Sequence, residues 1–199
     1  MKTYVIRRRG GGLFSVVASV LAHLHKAEDL GYVPFIDLET FPTPYQEILP
    51  VHGTRNVWDY YFKPVSSLTR DVAFSREPVF SNTGFPPGYS YSLFPNHVAS
   101  NMWQKHVRLN QISEEKIKSD LAELGPETKT LGVHFRGQEQ RVAAGHPLTP
   151  TVRQMTKAIE HHLETGDFDR ILLVTEAQQY VDALVRRFGN RVTPTSTFR

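Results

Sequence analysis

Three short stretches carry the residue types needed to hold an anionic, hydroxyl-rich ligand. The first is Arg7-Arg8-Arg9-Gly10-Gly11-Gly12-Leu13-Phe14-Ser15. Glycines between a strand and a helix let a ligand approach the N–H groups at the helix N-terminus. The stretch matches neither G-x-G-x-x-G nor Gly-Lys-Ser/Thr, so a tight turn with solvated arginines is an equal reading. The second is His134-Phe135-Arg136-Gly137. Period-two alternation puts His134 and Arg136 on one side of a strand and Phe135 on the other. A guanidinium at a strand's carboxyl end sits where open α/β sheets take ligands, and its fork matches phosphate oxygens. Pairing of Arg136 with Glu139 or Glu176 is the structural alternative. The third is Thr175-Glu176. Its carboxylate suits ribose hydroxyls or Arg136, but taken alone the pair is better read as Thr175 N-capping the next helix with Glu176 in its first turn.

Other polar clusters are weaker. Asp167-Phe168-Asp169 has the spacing of a metal–sugar signature but falls in a turn before a strand, away from the ligand edge, which favours a solvated turn. His161-His162 and His23/His25 read as helix-surface histidines, and without a converging carboxylate they make poor metal ligands. Trp103, His106 and Arg108 suit either a cleft between domains or plain surface. Asp37 or Glu39, closing the second strand, is a candidate general base.

Composition narrows the classes. The 199 residues contain no cysteine, which excludes disulfides, thiolate metal sites and cysteine nucleophiles. The formal charge is only +3, with a pI near 9.2. The single dense basic run, Arg7 to Arg9, is not the basic and aromatic stripe of a nucleic-acid binder. No apolar run reaches membrane-spanning length, and the start lacks a signal-peptide apolar segment. A cytoplasmic protein is therefore expected, with peripheral membrane contact still open.

The elements that must position these residues follow from periodicity. Residues 3–8 read as a strand and 13–30 as a helix with apolar Val16, Val17, Val20, Leu21, Leu24 and Ala27 on its stripe. Gly31 closes that helix, and 33–37 form a second strand. This is a βαβ unit with a parallel sheet. Residues 39–105 are proline-punctuated, with the aromatic run Asn56-Val57-Trp58-Asp59-Tyr60-Tyr61-Phe62 predicted as a short helix on the sheet. Helices are expected to start near Met102 and at Ser113, the latter as N-cap, running to Leu124. Gly125-Pro126 marks a boundary. Beyond it lie a strand at 130–136, a loop at 137–149, a helix over 151–164 opened by Pro150, a strand at 170–175, a helix at 176–188 ended by Gly189, and a further strand from 191. The fold class is α/β with two Rossmann-like halves, 1–125 and 126–199.

The order of these features resembles the GDP-fucose-dependent fucosyltransferase superfamily, which includes α1,6-fucosyltransferases, nodulation fucosyltransferases and protein O-fucosyltransferases. The marks are a glycine-rich strand–helix start, Asn-x-Trp-x-x-Tyr-Phe, His-x-Arg-Gly at a strand end, a following His-Pro, and a strand ending in Thr-acid. The resemblance implies a two-domain GT-B fold and inverting transfer of fucose from GDP-fucose to a glycan, lipid-linked glycan or other hydroxyl acceptor, with no cofactor and no metal. It implies that Arg136 holds the donor's β-phosphate as the catalytic residue. It places His134, Gly137, His146 of His146-Pro147, Thr175 and Glu176 around the nucleotide. It assigns Gly10, Gly11, Gly12 and Phe14 to the first domain's loop facing the cleft, and it makes the Asn56-Trp58-Tyr61-Phe62 cluster structural. Many members continue His-x-Arg with a Thr-Asp; Gln138-Glu139-Gln140 follows here, so Glu139 stands in for that aspartate. The family's nucleotide domain continues past the point matching Arg199, so a second domain incomplete at its C-terminus is expected. The rival readings are a sugar-nucleotide or phosphate-binding α/β module without transfer, and a purely structural domain.

Overall fold

The computed structural model describes residues 2–8, 11–41, 43–81, 84–90, 92–124, 129–135 and 149–195. It divides into two compact units, Met1–Ser119 and Asp120–Arg199. The boundary expected at Gly125-Pro126 lies outside the described residues, as do Gly10, Arg136, Gly137, Glu139 and His146.

In the first unit β1 (Thr3–Ile6), α1 (Leu13–Asp29) and β2 (Val33–Ile36) form the expected βαβ unit. The parallel register pairs Thr3 with Val33 and Ile6 with Ile36. All four residues of β1 are buried, because β1 is the central strand, flanked by β2 and by β3 (Val79–Ser81). Pro34 is tolerated because β2 is an edge strand, where a missing N–H leaves no ladder partner unsatisfied. The α1 stripe is buried as its periodicity requires. The helix ends in a Schellman turn: Gly31 adopts φ +65°, Gly31 N–H donates to Glu28 O at 2.9 Å and Tyr32 N–H to Ala27 O at 2.9 Å. His23, expected on the surface, is instead 1% exposed. It lies 3.1 Å from the Tyr4 hydroxyl. The cause is that α1 is covered on more than one side, by the sheet and by α3 (Asn96–His106).

The proline-punctuated stretch holds more structure than its sequence suggests. A 3-10 helix (Val57–Tyr60), α2 (Arg70–Ser75), β3 (Val79–Ser81), α3 (Asn96–His106) and α4 (Gln111–Leu124) follow in order. β3 has only three residues, too few for alternation to announce it. α3 begins well before Met102. Ser113 is not the N-cap of α4: the Asn110 side chain accepts from the Ser113 N–H at 2.8 Å, and the helix opens at Gln111. The aromatic run is core, as expected: Trp58 and Phe62 are buried with ring centroids 4.6 Å apart.

The second unit is β4 (Thr130–His134), α5 (Val152–Thr165), β5 (Arg170–Val174), α6 (Gln178–Phe188), a 3-10 turn and β6 (Val192–Pro194), in parallel order β4-β5-β6. Thr151, not Pro150, opens α5, through a reciprocal capping box with Gln154. The core gathers Phe135, Ile159, Ile171, Leu173 and Leu184, and Phe135 stacks on Tyr180 with centroids 3.9 Å apart.

Candidate functional site

The carboxyl edge of the first sheet is built around Arg7, the residue after β1. Its Nε donates to Asp37 Oδ2 at 2.9 Å. Its backbone N–H donates to Ser81 Oγ at 3.2 Å, and its guanidinium lies over the Phe80 ring at 4.2 Å. One side chain thus ties the ends of all three strands. The solvated reading fails for Arg7, because burial of Asp37, 1% exposed, demands a counter-charge. Burial alone would raise the Asp37 carboxyl, but the Thr40 hydroxyl and N–H and the Arg7 guanidinium outweigh it and hold it below the usual carboxylate range. Asp37 is therefore a poor proton acceptor.

The glycine loop follows. Gly11 adopts φ +83°, and a Cβ there would meet the Ser15 hydroxyl at 2.8 Å, so only glycine passes this point without strain. The Arg8 guanidinium packs against Gly84. Gly12 is the N-cap of α1 with no side-chain cap, and the Leu13 N–H donates to the Tyr45 hydroxyl at 2.8 Å. Phe14, in the first turn of α1, is 75% exposed. With Trp103, Tyr61, Leu109, Ile112 and Ile117 it lines an apolar groove of about 770 Å³. His106 does not face that groove: its Nε2 lies 2.6 Å from Glu28 Oε1.

A cavity of about 230 Å³, lined by polar and apolar side chains alike, opens at the carboxyl end of β2. Asn56 organises it. Its Oδ1 accepts from Leu38 N–H at 3.0 Å, and its Nδ2 donates to Ile36 O at 2.9 Å and to Asp59 Oδ2 at 3.1 Å. Burial pushes the Asp59 carboxyl up to about 6, the Glu39 charge pushes the same way, and the Asn56 amide offsets only part. Asp59 was not singled out from sequence. The available signal was an acid inside an otherwise aromatic run, three residues after an asparagine.

In the second unit the register pairs His134 with Val174. The segments continuing from His134 and Val174 therefore leave the same edge of the sheet, and His134 and Glu176 are both exposed. Phe135, fully buried, faces away from His134 as alternation predicts. Its N–H donates to Val174 O at 2.9 Å. Thr175 is buried and does not cap α6: its hydroxyl accepts from Ala177 N–H at 3.2 Å, the helix starts at Gln178, and Glu176 precedes its first turn. Lys129 and Asp167 form an exposed ion pair before β4 and β5, at the opposite edge. Among the described residues no cluster of three or more His, Asp or Glu side chains is placed to hold a metal, and no helix is long and apolar enough to cross a membrane.

No protein-family model matches the chain, and no curated protein matches it in sequence. Its shape does match solved structures. The NodZ alpha-1,6-fucosyltransferase co-crystallised with GDP aligns over 99% of this chain and 79% of its own, at 13% identity and a TM-score of 0.59. The fucosyltransferase NodZ from Bradyrhizobium aligns over 99% and 79% at 15% identity and 0.61. NodZ alpha-1,6-fucosyltransferase soaked with GDP-fucose aligns over 99% and 78% at 14% identity and 0.60. The fold is NodZ-like. At these identities the NodZ likeness concerns architecture: α/β, with parallel sheets and intervening helices.

Proposed function

We propose that the chain is a fucosyltransferase-like glycosyltransferase that moves fucose from GDP-fucose to a hydroxyl acceptor, with inversion and without a metal. One observation carries the reading. A NodZ-like architecture across 99% of the chain coincides with the sequence His134-x-Arg136-Gly137, whose His134 is the last residue of β4, at the ligand edge of such sheets. The arrangement proposed is GT-B, with residues 1–125 on the acceptor side and 126–199 on the nucleotide side.

The chemistry assigns the roles. The acceptor oxygen attacks C1 of fucose opposite GDP, the C1–O bond to the β-phosphate breaks, and negative charge collects on the leaving diphosphate. Arg136 meets that charge with a bidentate fork. His134, Gly137, Glu139, His146, Thr175 and Glu176 surround the nucleotide. Gly10, Gly11, Gly12 and Phe14 are the substrate-binding residues proposed for the first domain. The acceptor is a glycan or lipid-linked glycan, and a cytoplasmic setting supplies GDP-fucose.

Thermal-shift titration with GDP, GDP-fucose and UDP-sugars, followed by GDP release with candidate acceptors, tests the proposal. Selective stabilisation by GDP and GDP-fucose together with acceptor-dependent release is expected. Binding without release assigns the non-transferring module instead, and no binding of either nucleotide removes both readings.

A further inference from the structure

We infer that the cavity beside β2 is a subsite for one hydroxyl-rich sugar ring, uncharged or amino-bearing, held by Asp59 and Glu39, with Asn56 positioning Asp59. Identifying that sugar as the acceptor rests on the transfer reading; the binding itself does not.

Position comes first. The cavity lies at the carboxyl end of a parallel strand and is lined by Asp37, Glu39, Asn56 and Asp59 and by the apolar Val65 and Leu68 among others. Its volume of about 230 Å³ suits a single monosaccharide rather than a nucleotide. The lining matches sugar chemistry. Oxygen acceptors stand beside apolar side chains, among them Phe35, Val65 and Leu68; sugar hydroxyls are donors for the first, and the C–H side of a pyranose suits the second.

The two carboxylates at this edge differ in availability. Asp37 is engaged by Arg7 and Thr40. Asp59 has a single side-chain donor among the described residues, Asn56, which is itself pinned by the backbone of Ile36 and Leu38. A half-buried carboxylate with so few donors is costly to keep unless something else hydrogen-bonds to it. Glu39 is near enough for its charge to act on Asp59. The one cation in the lining is Arg70, which is exposed. The site therefore repels phosphate and carboxylate groups and favours hydroxyl or ammonium donors.

The experiment is calorimetric titration of the full chain with glucosamine, N-acetylglucosamine, glucose and glucose 6-phosphate, alongside a separate titration with GDP. Saturable binding of at least one of the first three is expected, with glucose 6-phosphate at least tenfold weaker than its parent. Asp59→Asn and Glu39→Gln should each weaken binding by roughly tenfold or more. Matching thermal melts check that both variants fold; should Asp59→Asn not fold, Glu39→Gln carries the test. Absence of saturable binding, unchanged binding in a folded variant, or preferred binding of glucose 6-phosphate overturns the inference. GDP binding without sugar binding sinks the subsite and spares the transfer reading. Sugar binding without GDP binding does the reverse.

Discussion

Arg7 and Arg136 both follow a strand of a three-stranded parallel sheet, Arg7 directly after β1 and Arg136 two residues after β4. At the first edge the neighbouring strand ends in Asp37, fully buried, and three aromatic rings surround the guanidinium. Arg7 is thereby consumed in joining strand ends. At the second edge the neighbouring strand ends in Thr175 and an exposed Glu176, and Thr175 already serves a backbone N–H. If Arg136 holds the donor as proposed, an arginine at a carboxyl edge is a ligand group or a clamp according to what the adjacent strand end presents. A buried aspartate one strand away selects the clamp.

Removing each arginine separates the two roles. Arg7→Leu leaves Asp37 buried without its counter-charge and should destabilise the first unit by ~3–5 kcal/mol, while the double replacement Arg7→Leu/Asp37→Leu should recover much of that loss. Both tryptophans, Trp58 and Trp103, lie in the first unit, so denaturant titration followed by tryptophan emission reads this unit alone. An unchanged midpoint would show that Arg7 is no clamp. Arg136→Lys should leave stability unaltered and lower GDP-fucose turnover on the order of 10²–10³-fold, because lysine keeps the charge and loses the fork. Full turnover would make Arg136 the bystander and reverse the comparison.

Legibility from sequence differed between the same two edges. The βαβ start, the α1 stripe and the Gly31 stop were readable because helical periodicity and a left-handed glycine are local signals. The β-α-β-α-β order of the second half was readable for the same reason. β3 and α2 were not, since three and six residues are too short to show a period. Arg7 looked solvated because nothing local announces Asp37, thirty residues away, as its partner. Asp59 went unnoticed because only the fold brings Glu39 near it. His134 and Thr175 could be placed at one edge once the strands were found, yet whether Thr175 capped α6 depended on a helix start that lies three residues beyond it.

The carboxylates of the first edge should also part company in acid. Asp37 is held below its ordinary value, so its stabilising contribution is present above about pH 4 and is lost as pH falls through its folded value. Asp59, at about 6 when folded, binds its proton more tightly than the unfolded chain does. The first unit should gain stability as pH falls from about 7 towards 4, on the order of 2 kcal/mol after solvent screening. Glu39, Asp37 and Arg70 are the other charged groups lining the same cavity. Tryptophan-monitored melts of wild type and Asp59→Asn from pH 7 to pH 5 check this. The wild type should rise and the variant stay flat; parallel curves would place the titration elsewhere.

Thr175→Val gives the smallest effect and the finest discrimination between the two edges. Thr40 at the first edge serves a carboxylate, whereas the Thr175 hydroxyl accepts the Ala177 N–H where the chain turns into α6. Valine keeps the buried shape and removes that acceptor, which should cost ~1 kcal/mol of second-unit stability. A hydroxyl with no further duty leaves the KM for GDP-fucose unchanged in the folded variant. A KM raised several-fold, with kcat held, would mark the same oxygen as a nucleotide contact and make the second edge the ligand side down to its buried threonine.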